Sequence, residues 1–233
     1  MTLPISDMYR YLLFDADDTL FDFDQGSRNA FREAMAMQGL SASDEDYDRY
    51  AAINLALWKQ FEKGEIEKEA ILTKRFRDYT ARYGVPAEPD HLNEDYKSAI
   101  SHQNILMPNA YEVLLALKEK GYRLFIITNG DAAIQHKRLA KSPITPLVEK
   151  VFISEEIGAA KPSREFFKAV ADGIEGFDAT KALVIGDSES SDMLGAQNAG
   201  IDACYFSPKG MTLPDSIFAK YTVRSLPELL TLL

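Results

Sequence analysis

Three observations predict an α/β fold: a parallel sheet core with an all-helical subdomain inserted after its first strand. Short apolar runs recur at 9–14, 123–127, 151–153, 181–185 and 201–206. Strands buried on both faces read this way, and helices must then cover both faces. From Pro108 onward the runs alternate with segments of helical periodicity, as βαβ units do. Between the first two runs, residues 27–102 hold no strand-like stretch and are rich in Ala, Glu, Lys, Arg and Met.

The first strand ends in Asp15 and Asp17. Residues two apart on extended backbone share a face, so this pair leaves the C-terminal end of a strand, where open α/β sheets place their ligands. Residues 21–26 read as a loop, with Gly26 and the 102–108 segment as candidate hinges. Four or five helices follow, marked by the stripes Phe31, Ala34 and Met35; Ile53, Leu57 and Phe61 beside Trp58; and Ile71, Leu72, Phe76 and Tyr79. Ser43 with Asp46 fits a helix start, and Gly39, Gly64 and Gly84 fit helix stops. Helices at 109–120, 131–140, 163–172 and 191–199 then alternate with strands. A weaker strand near 221–223 precedes a last helix at 227–233. The expected division is a catalytic core of 1–22 and 105–233 and a helical insert of 23–104.

With 233 residues the chain is long enough for one large core or two small ones. A net charge of −10 argues against nucleic-acid and anionic-membrane partners. No run approaches a membrane span, and residues 1–7 have no basic region of the signal-peptide kind. The single cysteine, Cys204, rules out an internal disulfide and reads as a buried strand residue. A soluble cytoplasmic protein is the expectation. Nothing identifies a protein partner, and His91, His102 and His136 are not spaced as a ligand set.

Four polar clusters sit at strand ends: Asp15, Asp17 and Thr19; Thr128-Asn129-Gly130; Lys161-Pro162; and Gly186-Asp187 leading to Asp192. Singly each has an ordinary explanation, and Asp192 could simply cap a helix. Together they supply carboxylates for one hard cation, one lysine and one hydroxyl. A phosphate group needs that mixture: a cation and a lysine offset its charge, N–H and O–H donors bind its oxygens, and a carboxylate can attack phosphorus in line.

The order Asp-x-Asp-x-Thr, strand-Thr, Lys-Pro, Gly-Asp-x-x-x-x-Asp resembles the haloacid dehalogenase (HAD) superfamily over nearly the whole chain. The resemblance implies a Rossmann-like core, a C1-type helical cap, Mg2+ and an aspartyl-phosphate intermediate. Asp15 would be nucleophile and metal ligand. Asp17 would ligate Mg2+ through its backbone carbonyl and move protons with its carboxyl. Thr128 and Lys161, with Asn129, would bind phosphate; Asp187 would ligate Mg2+, and Asp192 would support the metal waters or Lys161. The dehalogenase branch lacks an acid two residues past the nucleophile, so Asp17 favours phosphoryl transfer. An alkoxide leaving group gains from a general acid, whereas halide needs none.

Longer strings around Asp15, residues 54–58, residues 126–130 and residues 153–162 resemble the bacterial pyrimidine 5′-nucleotidases, which act on monophosphates such as UMP, dUMP and dTMP. The expected substrate is therefore a small phosphorylated metabolite, with a pyrimidine nucleotide favoured. The rivals are a sugar phosphate or phosphoglycolate and, in another class, a non-catalytic binding protein. Phe21, Phe23 and Trp58 are the candidates to stack on a base, although aromatics at helical spacing are more often packed.

Overall fold

The computed structural model describes residues 8–233. The expectation for segment 1–7 lies outside the described residues. In chain order the elements are β1 (Tyr11–Asp15), α1 (Phe23–Met37), α2 (Asp44–Glu62), α3 (Lys68–Tyr83), α4 (Pro89–Ile100), α5 (Ala110–Glu119), β2 (Arg123–Thr128), α6 (Ala132–Ala140), β3 (Lys150–Ile153) and α7 (Ser154–Ile157). There follow α8 (Arg164–Asp172), β4 (Ala182–Gly186), α9 (Leu194–Ala199), β5 (Asp202–Phe206), β6 (Tyr221–Val223) and α10 (Leu229–Leu232). The chain divides into two compact units, one running to Asp22 and resuming at Leu106, the other spanning Phe23–Ile105.

The first unit is a six-stranded sheet of order β3-β2-β1-β4-β5-β6, parallel throughout. Leu12 lies level with Leu124 on one side and Leu183 on the other. The pleat then sorts side chains by parity. Leu12, Phe14, Leu124, Ile126, Leu183, Ile185 and Cys204 pack on one face with Val113, Leu114 and Leu117 of α5. Tyr11, Leu13, Phe125, Ile127, Ala182 and Val184 pack on the other with Phe166, Phe167 and Val170 of α8. Both faces are apolar because both are covered, and this is why the strands read as continuous apolar runs. Strands β2 and β3 lie to one side of β1 while β4 lies on the other. Their C-terminal ends around β1 therefore form the crevice where such sheets bind ligands.

The second unit contains the four helices α1–α4. Ser43 caps α2 in a reciprocal box with Asp46, satisfying two of the N–H groups that a helix start leaves open. Gly84 closes α3 in the left-handed conformation, φ +64°. The core is aromatic: Tyr50 stacks with both Phe31 at 5.0 Å and Phe76 at 4.6 Å, with Tyr79 edge-on and Tyr96 tilted against it. Two expectations are corrected here. The buried face of α2 is Tyr47, Tyr50, Asn54 and Leu57 rather than Ile53, Leu57 and Phe61, since tyrosine rings bury as large apolar surfaces and the Tyr47 hydroxyl donates to Asp24. Nor do residues 21–26 form a loop: α1 begins at Phe23 and includes Gly26. A Cβ at Gly26 would lie 3.1 Å from the Gln103 Cβ, so this glycine serves close packing inside a helix rather than a hinge.

Candidate active site

All the polar residues of the site described below lie in the first unit. Asp15 is the last residue of β1 and is buried. Lys161, in the loop before α8, is also buried and uses all three of its protons. It donates to Asp15 Oδ1 at 2.5 Å, Asp192 Oδ1 at 2.6 Å and the Ile127 carbonyl at 3.0 Å. Its own backbone is gripped by Asn129, whose Oδ1 accepts from the Lys161 N–H at 2.9 Å and whose Nδ2 donates to the Lys161 carbonyl at 2.8 Å. The Asn129 amide, expected to face phosphate, thus fixes the lysine turn instead.

At the end of β4, Asp187 accepts from Thr19 Oγ1 at 3.2 Å. The chain then makes one π-helical turn, Glu189–Met193, a distortion that recurs at functional sites. Ser188, not Asp192, caps this turn, accepting from the Ser191 N–H at 3.2 Å. Asp192 turns back instead, and its Oδ2 accepts from the Ser188 N–H at 3.1 Å. Gly186 makes room for it: a Cβ there would fall 2.3 Å from Asp192 Oδ2.

One oxygen from each of Asp15, Asp187 and Asp192 lies within 4.8 Å of the others. Burial pushes the Asp15 carboxyl up to about 8; Lys161 opposes the shift, while Asp192 and Asp17 add to it. Burial also raises Asp187 well above the usual carboxylate range, and Asp15, Asp192 and Asp18 add to the effect. Burial alone would lower the Lys161 ammonium, but Asp15 and Asp192 outweigh it and the net shift is upward. Three carboxylates against one ammonium leave a formal charge of −2 when ionised. All-oxygen donors with that excess charge fit a hard divalent cation. The carboxylates gathered there are Asp15, Asp187 and Asp192; the Asp17 carboxylate, two residues from Asp15, is engaged elsewhere.

Both Asp17 oxygens are held by α6. Gln135 Nε2 donates to Oδ2 at 2.6 Å, and Arg138 Nη1 forms an ion pair with Oδ1. Sequence reasoning missed these two residues. Gln135 Nε2 also lies 3.4 Å from Thr128 Oγ1, which accepts from the Gly130 N–H at 3.0 Å. Phe21 is corrected as a stacking candidate: its ring is fully buried in the core, with the Arg138 guanidinium 4.6 Å from its centroid. Phe23 and Trp58 belong to the second unit. Phe23 is half-buried at the start of α1, and Trp58 meets the Phe61 ring edge-on at 5.8 Å.

A family model described as haloacid dehalogenase-like hydrolase matches residues 9–200. The chain is 34% identical to pyrimidine 5′-nucleotidase PynA of Streptococcus pneumoniae over 222 residues, covering 95% of this chain and 94% of that protein. It is 33% identical to pyrimidine 5′-nucleotidase YjjG of Escherichia coli over 223 residues, covering 96% and 97%. Among solved structures, the putative HAD-hydrolase YfnB of Bacillus subtilis, bound to magnesium, superposes with a TM-score of 0.91 at 33% identity, covering 96% of this chain and 97% of that one. The strand order, the carboxylate-lysine cluster at the sheet's ligand-binding end and these likenesses agree, and the chain belongs to the haloacid dehalogenase-like hydrolases.

Proposed function

We propose that this chain is a Mg2+-dependent phosphatase that hydrolyses small phosphorylated metabolites, pyrimidine nucleoside 5′-monophosphates foremost. The observation that carries the reading is the separation of two carboxylates. Asp15 sits in the buried cluster with Lys161, Asp192 and Asp187, while Asp17 is held apart on Gln135 and Arg138. That separation supports reading Asp15 as the nucleophile and Asp17 as the proton carrier.

In the first step an Asp15 carboxylate oxygen attacks phosphorus, and the bond from phosphorus to the ester oxygen breaks. Asp17 gives its proton to that oxygen, so a nucleoside leaves and Asp15 carries the phosphoryl group. In the second step Asp17 takes a proton from water as the water oxygen attacks phosphorus. The bond to Asp15 breaks, releasing phosphate and restoring both carboxyl groups. Lys161 and the Thr128 hydroxyl stabilise the phosphoryl oxygens. Asp15, Asp187 and the Asp17 main-chain carbonyl, with Asp192 behind them, would hold Mg2+, which would supply positive charge to offset that of the carboxylate and the phosphate.

The nucleotide preference rests on the string resemblance and on the two nucleotidase relatives. The helical unit is read as the cap that chooses the substrate, and Phe23 and Trp58 are its candidates for base stacking. The test is phosphate release with Mg2+ and with EDTA across nucleoside monophosphates, sugar phosphates and an aryl phosphate. Mg2+-dependent release concentrated on UMP, dUMP and dTMP is expected. Release spread over sugar phosphates would retain the chemistry and overturn the substrate; no release from any of them would overturn both.

A further inference from the structure

We infer that Arg138 and Gln135 of α6 are positioning residues for Asp17, and that Gly130 is glycine so that Gln135 can reach it. The inference rests on the phosphatase reading and specifies how its proton carrier is held. Asp17 follows the end of β1, and its carboxylate is about one-quarter exposed, enough to swing between rotamers if nothing held it. Both of its oxygens are held, by two side chains that are themselves buried: Gln135 is 1% exposed and Arg138 2%.

The support is rigid at each link. The side chain of Asp131 caps α6, accepting from the Ile134 N–H at 3.0 Å. Leu139, beside Arg138, anchors the helix in the core. Gln135, Arg138 and Leu139 fall on one helical face by their spacing. The Arg138 guanidinium rests on the buried Phe21 ring. Phe21 in turn closes the turn after β1, with its carbonyl accepting from the Asp18 N–H at 2.7 Å and its N–H donating to the Ala16 carbonyl at 2.8 Å. Thus the turn that carries Asp17 and the cation that pairs with it are braced on the same ring.

Gly130 is an independent sign. Its φ does not require glycine, but a Cβ there would lie 2.2 Å from Gln135 Nε2 and 2.9 Å from its Cδ. A side chain at this position would push the amide off Asp17. Arginine also suits the task chemically. Its guanidinium keeps its protons under all ordinary conditions, so it fixes the carboxylate without entering the proton exchange.

The test uses wild type, Arg138→Met, Arg138→Lys, Gln135→Leu, Gly130→Ala, Asp17→Ala and the Asp17→Ala/Arg138→Met double variant. Each is checked for native circular dichroism and Tm, then assayed with UMP and p-nitrophenyl phosphate. Arg138→Met, Gln135→Leu and Gly130→Ala are expected to lower kcat for UMP about tenfold or more while KM stays within about twofold. Because p-nitrophenolate leaves without a proton, kcat/KM is expected to fall less for that substrate. Arg138→Lys recovers part of the loss. In the Asp17→Ala background Arg138→Met adds little, since there is no carboxylate left to position. Losses that multiply in the double variant, fall equally on both substrates or reside in KM would overturn the inference. Active wild type with unaffected variants contradicts the inference alone, whereas inactive wild type contradicts the phosphatase reading beneath it.

Discussion

The two units bury polar groups in different ways. In the first, Asp15, Lys161, Asp192 and Arg138 are buried within two ion-pair systems, Lys161 between Asp15 and Asp192, and Arg138 on Asp17. In the second, Arg75 is buried on the faces of Tyr96 and Phe76, its Nε donating to the neutral Asn93 at 2.8 Å and its Nη2 unpartnered. Among the described residues Tyr50 Oη and Asn54 Oδ1 are also buried there without partners; in the first unit the atoms so left are neutral, on Gln135, Ser142 and Ser154. The first arrangement sacrifices packing simplicity to hold carboxylates at fixed places, as chemistry requires. The second is an aromatic core that tolerates polar tips. Removing a charge should therefore cost more in the first unit than in the second.

The largest effect is expected at Asp15. Asp15→Asn should lower phosphate release by a factor on the order of 10⁴ or more while the protein stays folded. A folded variant retaining a tenth of the activity would place the nucleophile elsewhere. Next comes the contrast between units. Lys161→Met strands Asp15 and Asp192, and should cost about 3–5 kcal/mol in urea unfolding. Arg75→Met removes a charge that has no opposite among the described residues, and should cost clearly less. Equal losses would erase the distinction drawn between the units. Phe76→Ala opens a cavity in the stacked core of the second unit, and about 3–5 kcal/mol is expected there too, through packing rather than charge.

A third comparison uses pH. The Asp15 carboxyl is raised from 3.8 to about 8 by burial and, against Lys161, by Asp192 and Asp17; Asp187 is raised in the same sense. Between those values the folded chain binds more protons than the unfolded one, so metal-free stability falls as pH rises from about 4 toward 8. Lys161 is raised from 10.5, so its contribution stays constant through that window. The Tm measured in EDTA should decline from pH 5 to pH 8, and added Mg2+ should raise Tm more at pH 8 than at pH 5. A flat profile would show that these carboxyls are not strained without a cation. The smallest effect is at the edge of the second unit: Ser43→Ala removes the α2 capping box and should cost about 0.5–2 kcal/mol without altering catalysis.

How much of this was legible in the sequence differs residue by residue. Asp15 and Asp187 could be read because polar residues at the ends of apolar strands break a strong pattern, and Lys161 because it falls between them in the order of the clusters. The parallel sheet followed from the same runs. Gln135 and Arg138 could not be read, because they sit among His136 and Lys137 on a helix of ordinary polar composition. Only their spacing from Leu139 hinted at burial. Phe21 reads as a loop aromatic; its burial depends on Arg138 of α6 and on the backbone bridge to Leu106, contacts distant in sequence. Asn129 was assigned to phosphate because strand-end amides commonly face ligands, whereas here its partner is 32 residues away. The α2 stripe shifts phase because the buried face begins at Tyr47 and Tyr50, whose polar hydroxyls hide them from an apolar pattern that starts at Ile53.

The central claim is that phosphate passes through Asp15. Rapid mixing with radiolabelled UMP and Mg2+, acid quenching within one turnover and peptide mapping would test it most directly. The account predicts a hydroxylamine-sensitive phosphoryl group on the peptide containing Asp15, absent from Asp15→Asn. Turnover with no labelled protein, or label on a different residue, would contradict it.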